Sequence, residues 1–215
     1  MKLLALDTAT TAVTVAVLDD DAVLADRTQL DARRHTEILA PCLDEAVRAS
    51  GIARTDLEAI AVGVGPGPFT GLRVGIATAL TLAHVLGIPA YGVCSLDAVA
   101  AQVDSPDFLV ATDARRREVY WARYAGGARV TGPEVARPGD LPEELRELPT
   151  AGRGPELYPD LFPTPVDVLD ASAAALGRLA ARALATGEDL LPVRPLYLRA
   201  PDAQPSTGPK SVLPR

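Results

Sequence analysis

Histidine, cysteine, lysine and aromatic residues are all scarce in this chain, and each scarcity removes a class of function. Only two histidines occur, His35 and His84, far apart in sequence. No histidine pair stands at metal-ligand spacing and no Cys-x-x-Cys is present, so no resident metal centre is expected. His84 falls in an apolar stretch and reads as a packed or interface histidine. His35 stands near a helix start, where capping or packing is its expected role. Cys42 and Cys94 sit in apolar surroundings and read as buried free thiols. Cys42 and His35 are seven residues apart, about two helical turns along the axis, which argues against a nucleophilic dyad. A serine nucleophile lacks a Gly-x-Ser-x-Gly elbow. Of 21 basic residues only Lys2 and Lys210 are lysines, and the formal charge is −7. Phosphate grip needs clustered positive charge, so the chain is not expected to hold nucleic acid alone. Aromatics make up only 4%, so the core must be built from Ala, Val, Leu and Ile. The apolar run at the N-terminus is too short for a signal-peptide core and is interrupted by Asp7. The run from Val74 to Ile88 contains Thr78, Thr81 and His84, and falls short of a membrane span. A cytoplasmic protein is expected.

What is present is ordinary globular material. Hydrophobic residues make up 48% of 215, enough for one large domain or two small ones. Residues 2–7 are a mostly apolar run suited to a strand buried on both faces. Residues 12–18 and 22–29 read as two further strands joined by tight turns, an antiparallel meander. A helix is predicted near 35–50, with Pro41 inside it and Gly51 at its end. Residues 59–64 form a buried strand, followed by a glycine-rich turn and a helix to Leu86. A strand over 90–94 and a helix over 96–103 complete the pattern βββαβαβ, a ribonuclease-H-like core. Beyond it, strands are predicted at 107–112, 118–124 and near 128–136. A short helix is predicted over Leu141–Leu148 and a long one over Ala171–Thr186, with Asp170 as its cap. Residues 149–169 are rich in Pro and Gly and read as mostly loop. The expected division is 1–104, 105–199 and a disordered tail over 200–215.

Three features carry chemistry. The loop from Gly63 to Gly75 joins a strand end to a helix start without forming a P-loop or a dinucleotide fingerprint. It reads either as a site for a phosphate or a partner's carboxylate, or as a tight turn that needs glycines. The helix behind it, Gly71 to Leu86, is small or apolar all round, and such a helix must be covered on all sides. A partner subunit is one way to cover it and the neighbouring helix is another. Asp7-Thr8-Ala9-Thr10 opens a hairpin of the kind that approaches phosphates in actin-like ATPases. The second such hairpin would be Asp113-Ala114-Arg115-Arg116-Arg117, where bulky arginines replace the glycines that close on phosphate. That substitution argues against an independent ATPase. The arginine run itself reads equally as a solvated turn or as a contact for an acidic surface.

Four segments together resemble the TsaB (YeaZ) family: Leu6-Asp7-Thr8-Ala9-Thr10, the run Gly65 to Gly75, the run Asp113 to Ala122, and Pro195-Leu-Tyr-Leu-Arg199. His35 to Pro41 also resembles that family's first-helix motif. Pro68 departs from it, where serine is usual, as does Arg117, where a small residue is frequent. The resemblance implies an α/β, actin-like (ribonuclease-H-like, ASKHA) fold of two subdomains. It implies a non-catalytic scaffold that supports a TsaD-type paralogue in forming N6-threonylcarbamoyladenosine in tRNA. A TsaE-type ATPase assists, tRNA is met through the complex, and homodimers form when the chain is alone. ATP or ADP and metal belong to the partners, with a nucleotide at the subunit junction as a further option. The expected interface residues are Ile38, Leu39, Cys42, Leu72, Ile76, Ala79, Leu80 and Ala83. The expected phosphate-proximal residues are Asp7, Thr8, Thr10, Gly65, Gly67, Thr70, Gly71, Arg73, Asp113 and Arg115. The competing readings are a stand-alone ASKHA ATPase or phosphotransferase, and a metallopeptidase, for which ligands are lacking.

Overall fold

Strand β1 (Lys2–Asp7) alternates its side chains between two cores, which fixes its place at the centre of a sheet. Leu4 and Leu6 turn to one face, Leu3 and Ala5 to the other, as a strand's two-residue period requires. A computed structural model describes residues 1–30 and 35–199. The expectation of a disordered tail over 200–215 and the role of the His35 side chain lie outside the described residues.

β1 pairs antiparallel with β2 (Ala12–Asp19), which pairs antiparallel with β3 (Ala22–Leu30). On its other side β1 pairs parallel with β4 (Ala59–Gly63), and β4 with β5 (Ala90–Val93). The first sheet therefore runs β3-β2-β1-β4-β5. A second sheet runs β8-β7-β6-β9, from β6 (Asp107–Asp113), β7 (Val119–Ala125), β8 (Ala128–Ala136) and β9 (Thr150–Ala151). The helices are α1 (His35–Ser50), α2 (Phe69–Leu86), α3 (Ser95–Ala100), α4 (Glu143–Arg146), α5 (Gly154–Leu157) and α6 (Ala173–Thr186).

These elements stack in layers. Leu39, Cys42 and Ala46 of α1 and Ile76, Ala79 and Ala83 of α2 share a core with Leu4, Leu6 and Val15 on one face of the first sheet. On the other face, Leu96 and Val99 of α3 and Leu176 and Ala180 of α6 join Leu3, Leu18, Phe108 and Val110 in a core between the sheets. A third cluster, including Trp121, Leu141 and Phe162, covers the outer face of the second sheet. Both cysteines are buried free thiols, and burial pushes each up to about 11.

Several expectations need correction. Ser172, not Asp170, caps α6: its Oγ accepts the Ala175 amide at 3.2 Å. The stretch 149–169 is mostly loop, with β9 and α5 inside it too short to leave a periodic signal. The helix expected over Leu141–Leu148 is a single turn. α6, from the second half of the chain, packs on β1 and β2 of the first sheet. Finally, α2 begins at Phe69 rather than at Gly71, and its 18 residues are, by length and composition, apolar enough to cross a membrane. One of its faces is nevertheless packed on the sheet through Leu72, Ile76, Ala79 and Ala83.

The segment after α6 returns to the first sheet. Leu191 exchanges two backbone hydrogen bonds with Gly92, at 2.8 and 3.0 Å, and the Leu196 amide donates to Val64. That path lays Tyr197 on Phe69 at the start of α2, with ring centroids 5.5 Å apart.

Candidate functional site

Two aspartate turns face each other across a cleft of about 240 Å³. The first closes β1. The Asp7 Oδ1 accepts the Ala9 amide at 2.7 Å, and its Oδ2 accepts the Ser95 hydroxyl at 2.6 Å. Ser95 Oγ in turn accepts the Gly65 amide at 3.1 Å, and Thr8 Oγ1 donates to the Gly71 carbonyl at 2.7 Å. Asp7 is fully buried, and burial pushes its carboxyl up to about 6 despite those hydrogen bonds.

This geometry gives the glycine-rich loop a reason that neither sequence reading contained. The loop wraps the β1–β2 turn from behind. A Cβ on Gly67 would collide with the Ala9 carbonyl, and one on Gly71 with the Thr8 carbonyl. A Cβ on Gly63 would meet the Asp7 carboxylate, and one on Gly75 the Thr8 hydroxyl. At these four positions the missing Cβ admits another strand's turn.

The second turn follows β6. The Asp113 Oδ1 accepts the Arg115 amide at 2.7 Å, repeating the Asp7 geometry, and its Oδ2 pairs with the Arg115 guanidinium at 3.1 Å. Arg115, Arg116 and Arg117 all take left-handed backbone conformations, with φ of 60°, 56° and 62°. Arg199, in the last of the resembling segments, pairs with Glu118 and donates to the Ala114 carbonyl at 3.4 Å.

Of the residues expected near phosphate, Thr8, Thr10, Thr70, Gly71, Asp113 and Arg115 line the cleft. Asp7, Gly65 and Gly67 are buried and do not line it. Arg73 is turned away: its guanidinium carbon stands 3.6 Å from the Phe69 ring centroid, and its Nε donates to Tyr197 at 3.3 Å. Sequence reasoning missed Arg153 and Asp170, which complete the cleft. Arg153 lies in a Pro- and Gly-rich stretch where no motif marks it, and in the sequence Asp170 reads only as a helix cap. Among the described residues no group of three or more His, Cys, Asp or Glu side chains gathers to hold a metal.

The expected interface residues divide sharply. Leu39, Cys42, Leu72, Ile76, Ala79 and Ala83 are buried in the chain's own core, so they do not form an outward surface. Ile38 is half-buried and only Leu80 is exposed. The error has a plain source: in a helix apolar all round, periodicity cannot say which side faces the sheet. The outward stripe of α2 is Phe69, Arg73, Ala77, Leu80, His84 and Val85. Phe69, Leu80 and Val85 are 53%, 46% and 74% exposed, and Tyr197 adds a second exposed ring beside Phe69.

The two sheets, the crossing helices and the paired aspartate turns define an α/β protein of the actin-like ASKHA fold. The family model described as TsaD, tRNA N6-adenosine threonylcarbamoyltransferase, matches residues 24–190. An uncharacterized protein of Mycobacterium tuberculosis is 47% identical over 205 residues, 94% of this chain and 93% of that protein. The tRNA threonylcarbamoyladenosine biosynthesis protein TsaB of Escherichia coli is 37% identical over 174 residues, 75% of each chain. The crystal structure of YeaZ from Pseudomonas aeruginosa superposes with a TM-score of 0.79 at 30% identity, covering 92% of this chain and 99% of that one. The chain belongs to this family, as a TsaB/YeaZ-like member.

Proposed function

We propose that the chain is a non-catalytic subunit that binds a TsaD-type transferase and supports formation of N6-threonylcarbamoyladenosine in tRNA. The observation that carries this reading is the outward face of α2. Leu80 and Val85 are large apolar side chains left in water, continuous with the exposed Phe69–Tyr197 pair and Arg73. Tyrosine, other aromatics and arginine at the centre of an apolar patch are the side chains that dominate binding energy at protein interfaces. A transferase paralogue presenting its own apolar helix would bury this stripe.

The cleft supports the same reading. Each of its arginines is already neutralised within the chain, Arg115 by Asp113 and Arg153 by Asp170. A stand-alone ATPase would need those cations for nucleotide phosphates. Nucleotide, metal and the TsaE-type ATPase accordingly belong to the partner side of a cytoplasmic complex, and tRNA is met through that complex. A homodimer through the same stripe is the expected state of the isolated chain.

The test is co-expression with the TsaD-type protein of the same organism, followed by gel filtration and light scattering. A 1:1 complex is expected for the natural chain. The double variant Leu80→Glu with Val85→Glu should elute alone while keeping its circular dichroism, because neither side chain is in the core. Association undiminished by both charges would place the contact elsewhere.

A further inference from the structure

Asp170 stands where the chain crosses from the second sheet to the first. Just before it, the Gly152 amide donates to the Val168 carbonyl at 2.7 Å, fastening the segment to the second sheet. Just after it, Ser172 opens α6, which packs on the first sheet. The Asp170 side chain reaches into the cleft between them. Its Oδ1 accepts the Thr11 amide at 3.2 Å, from the β1–β2 turn. The same oxygen accepts Arg153 Nε at 3.1 Å, and Oδ2 accepts Arg153 NH2 at 2.6 Å. The remaining face of that guanidinium is taken by Glu156, which accepts from NH1 at 2.9 Å. The Asp170 side chain is only 9% exposed and Arg153 only 23%.

A bidentate guanidinium and a turn amide converging on two oxygens form a donor set that suits any planar or tetrahedral oxyanion. Here one donor belongs to the first sheet's turn and the other to the second sheet's α5 region. Removing the carboxylate would leave Arg153 as a mostly buried cation with donors aimed into an open, threonine-lined cleft. Thr10, Thr11 and Thr70 line the same cleft.

We propose that Asp170 is a built-in counter-anion that fills an oxyanion site in the cleft and ties the two sheets' turns together. Without it, the same donors take a phosphate-class anion. The Arg153–Asp170 pair also supports the proposed function, but the outward face of α2, which carries that reading, plays no part here.

Calorimetric titration of the full chain with inorganic pyrophosphate at fixed ionic strength tests it. The natural chain should show no binding up to millimolar concentration. Asp170→Ala should bind at least tenfold more tightly than the natural chain, and adding Arg153→Met should abolish that gain. Asp170→Asn keeps the shape and serves if the alanine variant does not fold. It should bind pyrophosphate measurably and speed hydrogen exchange of the Thr11 amide about tenfold, since a neutral amide holds that donor and the guanidinium less well. Pyrophosphate binding by the natural chain equal to that of the variants would overturn the proposal. So would variants that bind no better than the natural chain, or binding that survives loss of Arg153.

Discussion

The two aspartate turns begin alike and end in opposite environments. In each, the carboxylate accepts the amide two residues on at 2.7 Å, so the local hydrogen-bond geometry is shared. Asp7 is sealed beneath the glycine loop, and its carboxyl is pushed up to about 6 by burial. Asp113 is partly open and followed by three exposed arginines in left-handed conformations. One turn has been given glycines by its neighbours and the other has been denied them by its own sequence. The same device is thus a packed keystone on one side of the cleft and a strained surface turn on the other.

The comparison is most severely tested at Gly71. It lies in the first turn of α2, where alanine should improve helix propensity by about 1 kcal/mol. Its missing Cβ, however, is where the Thr8 backbone carbonyl sits, and that carbonyl cannot swing away as a side chain could. Gly71→Ala should therefore destabilise the chain by about 3 kcal/mol, read as a lower urea midpoint. A neutral or stabilising outcome would mean that the β1–β2 turn is not clamped by the loop.

Asp7 gives the next effect, and its sign follows from its raised carboxyl. The ordinary value is 3.8, so between about pH 4 and pH 6 the folded chain holds a proton that the unfolded chain releases. This contribution to stability is complete below pH 4 and is lost as pH rises through 6. The swing is about 3 kcal/mol at most. Asp7→Asn removes the titration. The stability of the natural chain minus that of the variant should therefore fall between pH 4 and pH 7, as followed by urea unfolding at several pH values. A flat difference would show that Asp7 is not the buried acid described.

How much of this could be read from sequence depends on whether one residue's fate is decided locally. The βββαβαβ order was legible because β1, β2 and β4 alternate or run apolar, and because Gly51 and Gly87 stop their helices. The cleft was half legible: Asp7 and Asp113 announce their turns, but Arg153 and Asp170 matter only because the fold brings residue 170 beside residue 11. The outward face of α2 was not legible. Alanine, leucine and valine occupy both of its sides, and only the packing of Leu72, Ile76 and Ala79 on the first sheet says which side is left over. The glycine loop was legible as glycine-rich but not in purpose, because the turn that each glycine admits lies some sixty residues earlier.

The smallest effect concerns Arg117, on the open turn. Its φ of 62° places an L side chain where Cβ crowds the backbone, at a cost of about 1–2 kcal/mol. The turn itself is held by backbone bonds from Glu118 to the Arg115 carbonyl and from Ala114 to the Glu118 carbonyl, both at 3.0 Å, which glycine would keep. Glycine gives back part of the gain through the greater freedom of the unfolded chain. Arg117→Gly should still stabilise by about 1 kcal/mol net, raising Tm by about 2–4 °C for a domain of this size. Thermal unfolding followed by circular dichroism reads it. The opposite signs expected for Gly71→Ala and Arg117→Gly express the contrast between the two turns, because one change inserts a Cβ into a filled space and the other removes one from a strained conformation. Were Arg117→Gly destabilising instead, the arginine side chain would be contributing more to its turn than the backbone strain costs, and the open turn would be held in its conformation as firmly as the buried one.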